Sequence, residues 1–592
     1  MQWKRRTFTA ERDLFCNNGL SAVTACLLTN AGIQTMDEAN EFLGDGTIHD
    51  PIKIPNLYNA TQLIMSFVKS GSLIYIFGDY DCDGVTASAI LYLALKRIGA
   101  NVHVRLPDRI TEGYGMSLKA VDEMAQNGAE LIITVDNGIR AVKEIECAAT
   151  LGIQTVVLDH HVPGNEIPAA AAVVDLWLEK GDYPFTHLTG AGLAWKAACL
   201  LLQAYNETEY AMSLVDLAAI GTVADVEILQ GENRAIVKRA IALMQRRDYK
   251  RAGVRWLMNN DLQHVTAEDI AFRIGPCINA CGRLLEKGAE MPLDLLLETN
   301  QIYAAQKANA IIEVNEKRKQ IQAKCYAEIK AEAEERIRKG DKVLVLFSKD
   351  APSGIVGLLA GNLKEEYHRP AIVFSKKKDS SGNTVWTGSA RSIEAFNMVE
   401  ALERVAGENN SVFLAYGGHA MAAGMSIRAE TRALDILRAS INFYANSILK
   451  PEDLEPTLYY DMKLNAQRPN DIVKLAVELE ELEPYGVGCP RLVFCIDNFV
   501  PQSRGSDLFQ SLGQTEQHLK LMADGFSVLG FNMLDRYRQD GTPRKISIVG
   551  TLGVNYFKGG SYVQFSLLDY HVPEQKTITP LASALADALK GI

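Results

Sequence analysis

The sequence predicts a multidomain α/β protein: a parallel-sheet domain, a long connecting helix, a second α/β domain and a C-terminal β-barrel. Three observations carry this reading. Apolar runs that end in carboxylates alternate with helical stretches between about residues 71 and 160, as parallel β-α-β units require. A long charged segment from about Gln306 to Lys339 places Ile321, Cys325 and Ile329 at four-residue spacing, so it reads as one helix of about 50 Å at ~1.5 Å per residue. Beyond about residue 482, five short apolar strands follow one another.

At 592 residues the chain exceeds what one hydrophobic core supports, and several domains are expected. Apolar residues make up 47% and charged residues 22%. No apolar run approaches the length of a membrane span, roughly 18 residues, so a globular protein without a membrane partner is expected. Met1-Gln2-Trp3-Lys4-Arg5-Arg6 lacks the apolar segment of a signal peptide, which points to a cytoplasmic location. The 10 cysteines are scattered with no Cys-x-x-Cys pair, so they read as reduced core thiols rather than zinc ligands. A net charge of −11 argues against indiscriminate nucleic-acid binding but allows a local basic groove.

Residues 1–70 read as short helices broken at Asn-Gly, Gly-Asp-Gly and Asp50-Pro51, with no evident chemistry. Leu73 to Phe77 is the first strand, and it ends in Gly78-Asp79-Tyr80-Asp81-Cys82-Asp83-Gly84 before a helix from Val85 to Ile98. Three carboxylates this close repel one another unless a cation sits between them, and the carboxyl end of a parallel strand is where ligands bind. Asp-x-Asp-x-Asp-Gly also opens an EF-hand loop, but the twelfth position is Ile90 rather than Glu, and a strand precedes the loop where an EF-hand has a helix.

A second strand, Asn101 to Leu106, leads to Pro107-Asp108-Arg109 and Glu112-Gly113-Tyr114-Gly115. Arg109 and Tyr114 there can hold a phosphate and stack a base, or be an exposed arginine beside a packing tyrosine. After a helix from Ser117 to Asn127, Leu131 to Val135 runs into Asp136-Asn137-Gly138, and Thr155 to Leu158 runs into Asp159-His160-His161. A parallel sheet brings these strand ends together, so five acids and two histidines share one crevice. Carboxylate with imidazole suits manganese, zinc or iron better than calcium, and manganese or magnesium is expected. Asp216 to Val226 reads as an apolar helix that breaks at Gly221 and offers Asp225 from the next turn.

These four stretches, Asp79 to Gly84, Val135 to Gly138, Asp159-His160-His161 and Gly221 to Val226, resemble the successive motifs of the DHH phosphoesterase superfamily. Gly192 to Lys196, Gly231 to Arg234, Phe272-Arg273-Ile274-Gly275-Pro276, Ile278-Asn279-Ala280 and Gly282-Arg283 are similar to the RecJ family of 5′ to 3′ single-strand exonucleases within it. Gly354 to Gly357, Arg369 to Val373, Gly388 to Ser392 and Gly417 to Gly424 resemble the DHH-associated domain, and paired glycines before a helix would let backbone N–H groups approach a phosphate. The late strands, Leu492 to Ile496, His518 to Met522, Phe526 to Phe531, Lys545 to Leu552 and Tyr562 to Leu568, look like an OB-fold. Its last hairpin, Tyr556-Phe557-Lys558-Gly559-Gly560, presents an aromatic and a lysine to a strand.

The resemblance implies an N-terminal helical segment at 1–70, a catalytic domain at 71–300, a connecting helix at 301–340, a DHH-associated domain at 341–450, an OB-fold at 451–575 and a tail at 576–592. It implies a metal-dependent single-stranded-DNA exonuclease of repair and recombination, working with a helicase and a single-strand-binding protein; the alternative is a phosphodiesterase for short oligonucleotides or a small phosphoester. Two divalent ions, Mn2+ or Mg2+, would lie between Asp79, Asp81, Asp83, Asp136, His160 and Asp225, with Asp136 as the bridge. His161 would face the phosphate as donor or acid, with Asp159 orienting its neighbour. Arg109, Tyr114, Ser389, Arg391, Gly417, Gly418 and His419 would bind substrate. Three departures from the family pattern stand out: Ala351-Pro352, Gly361-Asn362 and Cys277. The last two replace arginines, so a weakened hold on a 5′-phosphate is expected.

Overall fold

Short runs of β-branched and aliphatic residues set the frame of the first α/β region. Leu73–Phe77 (β1), Asn101–Arg105 (β2), Leu131–Val135 (β3), Gln154–Leu158 (β4) and Ala172–Val174 (β5) form one sheet in the order β2-β1-β3-β4-β5, with every neighbouring pair parallel. All five residues of β3 are buried, as a central strand covered on both faces requires. This computed structural model describes residues 1–573 apart from 8–9, 379–381, 409–411, 504–507, 514–515 and 558. Lys558 and the tail at 576–592 therefore lie outside the described residues.

The chain divides into two compact units, one of them Thr35–Pro456 with Pro484–Cys489. In this unit the helix after β1 starts at Cys82 and runs to Arg97 (α1), ahead of the expected start at Val85. Asp81 is its N-cap and accepts from Gly84 N–H at 3.1 Å, so Asp83 stands in the first helical turn and not in a loop. Gly190–Gln203 (α2) and Val215–Ala224 (α3) pack beside it. Gly221 does not break α3, contrary to expectation. It allows close approach: a Cβ there would lie 2.4 Å from Asp83 Oδ1 and 2.5 Å from the Ala191 Cβ.

Gly275–Leu284 (α4) is entered through a π-helical turn at Ile270–Ile274. Gln301–Arg338 (α5) is a single 38-residue helix. At ~1.5 Å per residue its length is about 57 Å. Cys325, Ile329 and Ala333 of α5 are buried against Leu344–Phe347 (β6) and its neighbours. The second sheet of this unit contains β6, Ala371–Lys378 (β7), Thr384–Arg391 (β8), Phe413–Gly418 (β9) and Ala422–Arg428 (β10), ordered β9-β10-β8-β7-β6. No helix follows Gly417-Gly418. The pair closes the β9–β10 hairpin, with Gly417 opposite Gly424, because the residues after it return as a strand.

The other unit comprises Met1–Gln34, Thr457–Glu483 and the described residues from Pro490 onward. Gln2–Arg5, expected within a helical segment, is a strand paired in parallel with Thr457–Tyr460. Trp3 stacks on His571 with centroids 4.0 Å apart, and its Nε1 donates to Asp569 at 2.8 Å. The expected barrel is an open sheet among the described residues. Seven strands lie side by side from Met462–Leu464 at one edge to Gln510–Leu512 at the other, and no pairing joins the two edges. The long hairpin of Ile546–Phe557 and Gly560–His571 dominates it, with Phe557 opposite Gly560.

Candidate metal centre and active site

The parallel sheet ends where its carboxylates begin. Asp79 follows β1, Asp136 follows β3 and Asp159 follows β4. Asp136 adopts a left-handed backbone at φ 59°, which turns its side chain across the strand ends. Its Oδ1 lies 3.0 Å from His160 Nε2, which is also 3.7 Å from Asp83 Oδ2 and 3.9 Å from Asp225 Oδ2. Asp83 is held from behind: Gly190 N–H and Ala191 N–H, at the start of α2, donate to its two oxygens at 2.7 and 3.0 Å.

Three groupings have ligand atoms mutually within 4.8 Å: Asp79, Asp81 and Asp136; Asp83, His160 and Asp225; and Asp136, His160 and His161. Asp136 belongs to two of them. All six residues expected around metal are thus brought together. Burial first, then the neighbouring carboxylates, raises the pKa of Asp79 and of Asp136 well above the carboxylate range, and brings Asp225 to about 9. Asp79 Oδ1 is buried without a hydrogen-bond partner. An orphaned oxygen amid like charges is the environment a divalent cation satisfies, so the residues fit such an ion.

Asp159 does different work. Its Oδ2 accepts from Ile139 N–H at 2.9 Å, and its Oδ1 accepts from His160 N–H at 2.8 Å and meets His161 Nδ1 at 2.7 Å. Burial alone would raise its pKa, yet the bond to His161, that ring's charge and the Ile139 amide together lower it. His161 is thereby fixed in orientation, and although burial opposes its protonation, Asp159 draws its pKa upward. Tyr114 stands edge-on to this ring, with its hydroxyl 3.2 Å from Nδ1. A cavity of about 280 Å³ opens beside them, lined by Tyr114, Arg140, Asp159, His161 and, from the hairpin of the second sheet, His419.

Of the remaining predicted binding residues, Arg109 and Arg391, with Ser389 beside the latter, fall into one group of like charges with Arg283 and Arg318. Arg109 lies over the ring of Tyr80, the residue between Asp79 and Asp81, at 4.8 Å. Arg391 donates to Ser389 Oγ at 3.1 Å, and Arg283 donates to Gly354 O at 3.0 Å. Burial, followed by the charges of Arg109, Arg318 and Arg391, presses the pKa of Arg283 down. Among the described residues none of these four arginines has a carboxylate within ion-pair distance. Arg283 and Arg318 are not among the residues the sequence assigns to substrate. Arg283 sits in a quoted motif, but Arg318 comes from α5, where Asn315 and Gln322 each hold it at 2.7 Å, and only the packing of α4 on α5 brings it near. Cys277 is buried against the same helix, with Asn315 Nδ2 3.4 Å from its sulfur. Gly417 and Gly418 stay in the hairpin that carries His419.

The chain matches the model of the DHH family N-terminal domain at residues 73–222, of the DHHA1 domain at 340–446 and of the RecJ OB domain at 460–569. It is 31% identical to the single-stranded-DNA-specific exonuclease RecJ of Bacillus subtilis (strain 168), over 97% of this chain and 72% of that one. The chain belongs to the RecJ family. The RecJ of Escherichia coli (strain K12) is also 31% identical, over 86% of this chain and 89% of that protein. Among solved structures, RecJ from Thermus thermophilus in complex with Mn2+ superposes with a TM-score of 0.77 at 26% identity, covering 97% of this chain and 80% of that one. RecJ homologues are thus metal-bound hydrolases of the DHH superfamily, and the acidic and histidine groups here could bind the same kind of ion.

Proposed function

We propose that this chain is a 5′ to 3′ single-stranded-DNA exonuclease that hydrolyses phosphodiester bonds in repair and recombination. The observation that carries this is the adjacency of two unlike groups: a crowded carboxylate–histidine cluster, and beside it four arginines with no carboxylate at ion-pair distance among the described residues. A strand whose terminal phosphate rests on Arg109, Arg283, Arg391 and Ser389 presents its next phosphodiester to the cluster, and hydrogen bonds to charged groups contribute ~1.5–3 kcal/mol each. Cys277 and Asn362 stand where the family pattern has arginines, so the preference for a 5′-phosphate is weaker than the family pattern implies.

Asp79, Asp81, Asp83, Asp136, His160 and Asp225 would hold two divalent ions, Mn2+ or Mg2+, which supply an activated water and charge neutralisation at the phosphate. The chain's own groups do the rest. Asp159 fixes His161, which donates a proton or hydrogen bond to a phosphate oxygen in the adjoining cavity. Tyr114 covers that ring from the solvent side, and His419 completes the wall. We further infer the domain limits given by the sequence, a cytoplasmic setting, and cooperation with a helicase and a single-strand-binding protein. Among the described residues no helix is long and apolar enough to cross a membrane.

The test is a length series of single-stranded oligonucleotides in Mn2+, run beside a small diester such as bis(4-nitrophenyl) phosphate. A kcat/KM that climbs with strand length supports the reading. Equal or better turnover of the small diester overturns it in favour of a small-phosphoester hydrolase.

A further inference from the structure

The motif Phe272-Arg273-Ile274-Gly275-Pro276 has no part in the chemistry described above, yet it holds an apolar side chain among the most exposed in the chain. Phe272 is 72% exposed on the π-helical turn Ile270–Ile274. Such turns insert an extra residue into a helix and re-aim the side chains they carry, often at functional sites. Arg273 is engaged with Asp269 and Met258 O, and Ile270 and Ile274 are buried, so the turn is anchored while Phe272 is left outward.

Helix α4, which continues from this turn, runs past the candidate site along its length. At its start a Cβ on Gly275 would lie 3.1 Å from the Ala224 Cβ, immediately before Asp225. One turn on, Asn279 Oδ1 accepts from Cys82 N–H at 3.0 Å, beside Asp81 and Asp83. Near its end, a Cβ on Gly282 would lie 3.2 Å from Tyr80 O, and Arg283 joins the group of arginines. The order along the helix is therefore aromatic, carboxylates, arginines. At ~1.5 Å per residue, Phe272 to Arg283 spans about 16 Å, at most about five nucleotides at the ~3.4 Å phosphate spacing of a stacked strand. Val226, next to Asp225, adds a second apolar side chain, 67% exposed, on a backbone at φ 64°. A β-branched residue rarely adopts that state, which clusters at ligand clamps.

We propose that Phe272 is a stacking platform for one nucleobase on the 3′ side of the scissile phosphate, fixing the strand while its 5′ end rests on the arginine group. The inference rests on the single-strand exonuclease reading and names the subsite of the retained strand. A flat aromatic face held clear of the protein suits a base of any sequence, which digestion without sequence preference needs.

The test is single-turnover cleavage of 5′-phosphorylated single strands by wild type, Phe272→Ala and Phe272→Trp, with one abasic position scanned through the first six nucleotides. Phe272→Ala is expected to raise the half-saturating strand concentration about tenfold with the maximal rate kept, and Phe272→Trp to restore it. Wild type should suffer the same loss at one abasic position, and Phe272→Ala no further loss there. If wild type digests strands and Phe272→Ala matches it on all of them, or if the two penalties multiply, the platform is overturned while the exonuclease reading stands. A wild type that digests no single strand overturns both.

Discussion

Replacing Asp136 by Asn should abolish turnover and make the metal-free protein more stable. Asp136 is 2% exposed, touches His160 and belongs to two of the three ligand groupings, so its loss disturbs every site an ion could take at the strand ends. Charge stabilisation of the transition state by bound metal amounts to several kcal/mol, and at about 1.4 kcal/mol per factor of ten the loss in kcat is about 10³-fold or more. Stability runs the other way. Burial, then Asp83, Asp81 and Asp79, raises the pKa of Asp136. In the metal-free protein its ionisation therefore costs stability increasingly as pH rises above the unfolded value of about 3.9. Asn matches its shape and tolerates a backbone at φ 59°. The gain should be absent near pH 4 and reach about 1–3 kcal/mol by pH 8, the scale of an uncompensated buried group. Thermal melts in EDTA at the two pH values, paired with Mn2+-dependent cleavage, read both effects. The reasoning fails if the variant keeps a tenth of wild-type turnover, or if its metal-free Tm falls at pH 8.

Gly221→Val should cost about 1–3 kcal/mol by overpacking, because its Cβ would press Asp83 and Ala191; an unchanged melting temperature would contradict the packing of α3 on α1. Arg391→Ala should cut the preference for a 5′-phosphate over a 5′-hydroxyl by roughly tenfold or more in single-turnover cleavage, with Arg283→Gln in the same direction; an unchanged ratio would place the phosphate elsewhere. Phe557 and Tyr562 are 60% and 57% exposed near the tip of the long hairpin. Replacing both by Ala should weaken binding of long strands more than cleavage of very short ones, by ~1–3 kcal/mol per base lost; equal binding would assign the hairpin another role.

The parallel sheet and the acids at its edge were legible because a strand buried on both faces leaves an uninterrupted apolar run, and Asp79, Asp136 and Asp159 mark where each run stops. What escaped depends on partners distant in sequence. Gly221 reads as a breaker by its propensity, but tertiary packing needs its missing side chain. Gly417-Gly418 reads as a phosphate loop until its pairing with Gly424 is known, and Gln2–Arg5 becomes a strand only through Thr457–Tyr460. A row of late strands does not say whether its edges meet, and among the described residues they do not. Arg283 and Arg318 stand out because among the described residues no carboxylate lies within ion-pair distance of them, a property of the fold that no local pattern carries.

The most direct measurement follows one single-stranded oligonucleotide, labelled at its 5′ end in one reaction and at its 3′ end in another, through early digestion in Mn2+. The account predicts that the 5′ label leaves first as a mononucleotide while the 3′-labelled strand shortens step by step, and that EDTA stops both. Release of the 3′ label first, or digestion that persists in EDTA, would contradict it.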